Sequence, residues 1–132
     1  MTKDQRDSWQ KRQDTSYEPM PWQGLQIHSQ NTAKHEFVKF VICWVLDEMD
    51  REWDTEVQAP NGRVDIYDLG PVDEKPVVYE VETNVTTKRK REKHEQYYED
   101  FLRDVLVIDP EDVPTELNAA IDYVRENVII GA

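Results

Sequence analysis

Three carboxylates in this chain have types and spacing that could do chemistry. Glu80 and Glu82 lie two apart in the run 77–83, Val-Val-Tyr-Glu-Val-Glu-Thr. The run reads as a strand, so both acids point to one face and Val81 to the other. Two acids side by side at the end of a buried strand repel each other and lose hydration. A cation or a basic partner between them is then expected. Asp65 lies in the preceding strand-like run, with fourteen residues between it and Glu80. If the two runs pair as a hairpin, Asp65 stands beside Glu80 or Glu82, with Cβ atoms about 5 Å apart. Hard divalent ions such as Mg²⁺ take oxygen ligands, few protein carboxylates and several waters. One or two such ions could hold a phosphodiester, activate a water and stabilise the leaving oxygen. The plainer reading is a set of solvated surface acids, because 28 acids make such a spacing easy to reach by chance.

The second feature is Lys88-Arg89-Lys90-Arg91-Glu92-Lys93, five bases in six residues. Thr86 or Thr87 caps the helix that this run begins. Positive charge there opposes the helix dipole unless an anion offsets it. A nucleic-acid phosphate is one such anion. Glu80, Glu82 and Glu92 are internal alternatives. His28, His35 and His94 match no metal-binding spacing. His35 adjoins Glu36 and could lie near the site, although its first reading is an ordinary polar residue at a helix start. The single cysteine, Cys43, excludes an intramolecular disulfide framework and a multi-cysteine zinc site. It lies in an apolar helix and reads as a buried structural thiol.

The elements that must hold these residues can be read from periodicity. Residues 1–30 are polar, include Pro19 and Pro21, and read as an N-terminal arm or linker. Trp9, Tyr17, Trp22, Leu25 and Ile27 could pin it to the domain formed by 31–132. Residues 33–50 read as a helix that is apolar on nearly every side, buried or packed in an oligomer. Runs 53–59 and 63–67 alternate as strands around the turn signal Pro60-Asn61-Gly62. A polar loop leads to the strand 77–83. A helix over 87–103 follows, then a short buried strand, 105–108. The last helix carries a stripe of Leu117, Ala120, Ile121, Val124 and Val128. Short connections predict an antiparallel meander of three strands. The strand–helix–strand passage predicts a right-handed crossover to a parallel neighbour, hence a mixed sheet with helices on both faces.

Composition bears on partners and location. The formal net charge is −12, with 28 acids against 16 bases. That balance counts against a nucleic-acid binder at first sight. The acid is spread along the chain, however, as in proteins adapted to high salt. A halophilic host is expected, where a Debye length of about 3 Å leaves local constellations in control. No apolar run approaches a membrane span and the first residues lack a signal segment, which points to a cytoplasmic protein without a membrane partner.

The order helix–strand–strand–strand–helix–strand, with Asp65 on the second strand and Glu80-x-Glu82 on the third, resembles the PD-(D/E)XK nuclease superfamily. The resemblance covers about residues 31 to 109. It implies an α/β, restriction-endonuclease-like αβββαβ core, here with an added C-terminal helix, and with the acidic surface it gives the expectation of a halophilic archaeon or its virus as the source. It implies a Mg²⁺-dependent endonuclease, with Mn²⁺ as a substitute, acting on DNA by water attack. Asp65 and Glu80 match the family's acids, and Glu36 matches an acid of the first helix that often joins the metal site. Gln96 and Tyr97 match a feature of the helix after the third strand. The departure is Glu82, where the family carries a lysine. Lys93, three before Gln96 and four before Tyr97, is the first candidate for a migrated lysine, and Lys90 the second. Alternatively Glu82 is a third ligand and no lysine is needed, or the site no longer cuts. In that last case the domain binds nucleic acid or protein. Lys88, Arg89 and Arg91 are expected to hold phosphates. By the same resemblance the domain forms a homodimer.

Overall fold

A computed structural model describes Leu25, residues 31–70 and residues 75–129. The rest of the N-terminal arm, the middle of the polar loop and the last three residues lie outside the described residues. Helix α1 spans Ala33–Glu48. Thr32 caps it, its hydroxyl accepting from the His35 N–H at 3.1 Å. Glu36 stands in the first turn, where the helix dipole favours an acid. Asp50, with φ of 56°, turns the chain into strand β1, Glu52–Ala59. Strand β2 is Gly62–Gly70 and strand β3 is Val77–Val81. Helix α2, Thr87–Tyr97, crosses to strand β4, Asp104–Ile108. A 3-10 turn, Pro110–Asp112, leads to helix α3, Leu117–Asn127.

The four strands form one sheet in the order β1-β2-β3-β4. The first three are antiparallel and β4 runs parallel to β3. Two apolar clusters cover its faces. Val38, Val41, Ile42, Val45 and Leu46 of α1 meet Ile66, Tyr79, Val81 and Ile108, with Ala120, Ile121 and Val124 of α3 closing the cluster. On the other face Val57, Val64, Tyr67, Val78 and Val105 pack with Tyr97 and Leu102. The expected mixed α/β sheet flanked by helices, with a C-terminal helix, is therefore present. Cys43 is fully buried in the first cluster. No helix among the described residues is long and apolar enough to cross a membrane.

Several details differ from the periodicity reading. Helix α2 stops at Tyr97 rather than near Arg103. Tyr98 is extended, Leu102 drops into the second cluster, and the Arg103 N–H donates to the Pro76 carbonyl at 2.7 Å beside β3. The third strand ends at Val81, although the Glu82 N–H still donates to the Ile108 carbonyl at 2.9 Å. Leu117 is 43% exposed, so the buried stripe of α3 is Ala120, Ile121 and Val124. Val64 and Ile66 belong to opposite clusters, so simple alternation breaks at Asp65. Glu56, opposite Asp65 between the pairs Thr55↔Ile66 and Val57↔Val64, has φ of 53°. Such a conformation re-aims the backbone in the middle of a strand.

The β1–β2 turn is bolted to the end of α2. Gln96 Nε2 donates to the Asn61 carbonyl at 2.8 Å, and Asn61 Nδ2 donates back to the Gln96 carbonyl at 3.1 Å. Tyr97 Oη donates to the Arg63 carbonyl at 3.2 Å. Gly62 makes this docking possible: its φ is +143°, and an added Cβ would stand 2.7 Å from Tyr97 Oη. Gly62→Ala is expected to destabilise the fold by about 1–3 kcal/mol in urea unfolding, from backbone strain and displacement of the tyrosine. An unchanged midpoint would show that the turn is not held against α2.

Candidate functional site

The site forms where the β2–β3 ladder ends. Regular pairing runs from Asp68↔Val77 to Ile66↔Tyr79. At the next step carboxylates take the place of backbone acceptors. The Asp65 N–H donates to Glu80 Oε2 at 3.1 Å, and the Val81 N–H donates to Asp65 Oδ2 at 2.8 Å. Each acid thus holds the neighbouring strand in place of the ladder bond that the splay removes. The hairpin register therefore brings Asp65 beside Glu80.

Both acids are held in a poorly hydrated setting. Glu80 is 3% exposed. Burial, and then the Asp65 charge and hydrogen bond, push its carboxyl up to about 9, against which Lys93 pulls. Burial also opposes ionisation of Asp65, but hydrogen bonds from His35, Glu80 and the Val81 N–H outweigh it and hold Asp65 below its ordinary value. The pair keeps one proton, on the Glu80 side, because two charges at this separation are not tolerated without hydration.

Helix α1 supports Asp65 from one side. His35 Nε2 lies 3.5 Å from Asp65 Oδ2, and His35 Nδ1 lies 3.3 Å from Glu36 Oε1. Burial works against a charged His35, yet Asp65 and Glu36 together raise its pKa. Asn31 Nδ2 donates to Glu36 Oε1 at 2.7 Å. Lys39, fully buried, spans Glu36 Oε2 at 3.1 Å and Glu56 Oε1 at 3.0 Å. Burial opposes its charge, and the two acids more than restore it. Glu36 is thus part of the framework around Asp65, held by Asn31 and Lys39.

Helix α2 approaches Glu80 from the other side. Lys93 Nζ lies 3.9 Å from Glu80 Oε1 and 3.7 Å from Glu82 Oε2. It also stands 5.5 Å from the centre of the Tyr97 ring. Burial, with the charges of Glu80, Asp65 and Glu82, pushes the Tyr97 phenol up to about 12. Arg89 Nε donates to Glu82 Oε1, and Arg89 Nη1 donates to Glu92 Oε2 at 3.2 Å. Of the two candidate lysines, Lys93 is the one that reaches the carboxylates. Lys90 lines a separate cavity of about 290 Å³ with Asp109, Asp112 and Tyr123. Lys88 and Arg91 are exposed on α2, with Lys88 Nζ 4.0 Å from Glu92 Oε1. Gln96 is engaged with the β1–β2 turn, as described above.

His35, Lys39 and Glu56 belong to this constellation and were not singled out as site residues by sequence reasoning. A signal existed for the first two: 35, 36 and 39 share one helix face. The inward aim of Glu56 depends on its positive φ, which no local motif announces. Among the described residues no group of three or more His, Cys, Asp and Glu side chains is already gathered as a metal site. The oxygens still suit a hard ion that takes one or two carboxylates and fills its shell with water. Among the described residues, Glu80 Oε1 and Glu82 Oε2 are buried and make no hydrogen bond. They are the atoms through which such an ion would be held, with Asp65 fixing Glu80. No protein-family model, curated protein or solved structure matches the chain.

The shared proton has a measurable consequence. Glu80 is raised in the folded state from an unfolded value of about 4.5. The folded chain therefore binds more protons between these values, and stability falls as pH rises through that window. Glu80→Gln has no such titration and can keep the hydrogen bonds of the protonated acid. It is expected to melt close to wild type near pH 5 and roughly 5 °C or more above it near pH 9, since 1 kcal/mol moves such a domain by about 4–8 °C. A gap that does not widen with pH, followed by circular dichroism, contradicts the shared proton.

Proposed function

We propose that this chain is a metal-dependent nuclease that hydrolyses phosphodiester bonds in DNA, of the PD-(D/E)XK type with a restriction-endonuclease-like core. The observation that carries the reading is the meeting of Asp65, Glu80, Glu82 and Lys93 at the end of the β2–β3 ladder. The ammonium lies within 4 Å of both glutamates although it comes from the following helix. An arrangement that costs folding energy through a buried, proton-sharing acid pair is what a site selected for chemistry rather than stability looks like. The strand order β1-β2-β3-β4, with a parallel final strand, also supports the family reading.

In this mechanism Glu80 and Glu82 would hold the Mg²⁺ ion, with Asp65 orienting Glu80 and available as a further ligand. The ion would supply Lewis acidity and a more acidic water. Lys93 polarises the attacking water or offsets the charge that develops on the phosphate oxygens. His35 keeps Asp65 ionised, and Lys39 holds Glu36 in position as an outer ligand. Arg91 and Lys88, exposed along α2, contact the DNA backbone beside the site, with Arg89 at its inner edge. The isolated basic run on an acidic chain suits such local contacts, and in strong salt the overall charge of −12 repels DNA little.

A second reading has its own support. Glu82 stands where the family has lysine, and Arg89 is already paired with it. A nuclease-like domain that binds nucleic acid or protein without cutting is consistent with that pairing. Cleavage of branched, duplex and single-stranded DNA in Mg²⁺ and high salt separates the two. The expected result is cutting by wild type and a loss of about 10²-fold or more in Asp65→Ala and Glu80→Ala, the scale of removing an electrostatic catalytic group. Folded protein that takes up Mg²⁺ and cuts none of the substrates supports the binding module instead.

A further inference from the structure

The two glutamates of the site divide their oxygens in the same way. Glu80 Oε2 accepts from the Asp65 N–H, and Glu82 Oε1 accepts from Arg89. The remaining pair, Glu80 Oε1 and Glu82 Oε2, is buried and makes no hydrogen bond among the described residues. Both face Lys93 Nζ, at 3.9 and 3.7 Å. Those separations exceed the range of about 2.7–3.2 Å for a nitrogen donor to an oxygen. The ammonium therefore serves the two oxygens by charge and is not bonded to either. It is carried on a flexible four-carbon stem against the face of Tyr97, and the side chain keeps 17% exposure. Nothing in its contacts locks it there.

We infer that Lys93 is the resident cation between Glu80 and Glu82, and that its ammonium gives up this position when a divalent cation is taken up. The inference rests on the metal-dependent reading above. The free oxygens are the ones a hard cation needs, and Lys93 occupies the region between them. Two cations there would repel each other strongly in a poorly hydrated setting. Uptake of the ion and the present position of Lys93 are therefore alternatives, linked with opposite sign. Arg89 is not part of the exchange, because it uses the other oxygen of Glu82. Lys93 so stands in the ion's place before uptake, at the expense of affinity for the ion.

Calorimetric titration of Mn²⁺ into wild type, Lys93→Met and Lys93→Arg tests this without any cleavage assay. Lys93→Met is expected to bind Mn²⁺ at least about tenfold more tightly than wild type, since a nearby positive charge is removed. Lys93→Arg is expected to bind no more tightly than wild type. Equal or weaker binding by Lys93→Met, with measurable binding by wild type, overturns the exchange and leaves the metal reading intact. No uptake by any of the three proteins overturns both. A second readout uses wild type alone, so it does not depend on the variants folding. With ¹³C-labelled lysine, saturating Mg²⁺ should move the Lys93 Cε resonance and leave that of exposed Lys88 unmoved. A Lys93 resonance unaffected by bound Mg²⁺ contradicts the exchange.

Discussion

The interlock between Asp65 and Glu80 is the constraint on which the rest of the site depends. A regular β ladder would bury two backbone groups on each other at this step. Here the strands part, and each N–H finds the other strand's carboxylate instead. Backbone pairing and acid placement are thereby one feature. Neither acid can be removed without leaving a buried N–H unsatisfied, at a cost of about 1–3 kcal/mol. Neither can ionise fully beside the other without losing hydration, which is why Glu80 keeps its proton and Asp65 does not.

Everything around the pair offsets that charge. From β1 through α1 to α2, Glu56, Lys39, Glu36, His35, Asp65, Glu80, Lys93, Glu82, Arg89 and Glu92 follow one another in contact, acid and base in turn except where Asp65 meets Glu80. Two helices on opposite faces of the sheet contribute to one row. Such a row is not an efficient source of stability, because buried ions lose about as much in desolvation as they regain in attraction. What it does provide is geometry. Lys39 and Asn31 fix Glu36, His35 ties Glu36 to Asp65, and Lys93 lies over the Tyr97 ring beside Glu80. The clamp between Asn61 and Gln96 holds the end of α2 one helical turn beyond Lys93, so even the β1–β2 turn bears on the carboxylates.

Much of this was legible in the sequence, and the reasons differ from element to element. Hairpin arithmetic sufficed to bring Asp65 beside Glu80, although strand alternation itself breaks at Asp65. Helical spacing likewise sufficed to choose Lys93 ahead of Lys90 as the lysine nearer the acids. Length of a helix was less readable. The run after Tyr97 contains good helix formers, but Leu102 gains more from the second apolar cluster and the Arg103 N–H pairs beside β3. Tertiary packing outweighs propensity there. Leu117 heads a stripe whose other members, Ala120, Ile121, Val124 and Val128, reach the first cluster, while Leu117 itself stays exposed. The participation of Glu56 rests on a backbone angle of 53° at a non-glycine residue, for which a sequence offers no local cue.

The protonation state of Glu80 is the property on which the interlocked pair depends most directly. Carbon-13 NMR of the glutamate side-chain carboxyls, assigned through Glu80→Gln and followed from about pH 4 to pH 10, reads that state atom by atom. A Glu80 carboxyl that holds its proton through neutrality and releases it at about 9, in step with a small shift at Asp65, is the predicted result. Release at the ordinary glutamate value near 4.5 would contradict it. The interlocked pair would then be two independent, hydrated acids, and the end of the β2–β3 ladder would be a surface feature rather than a site.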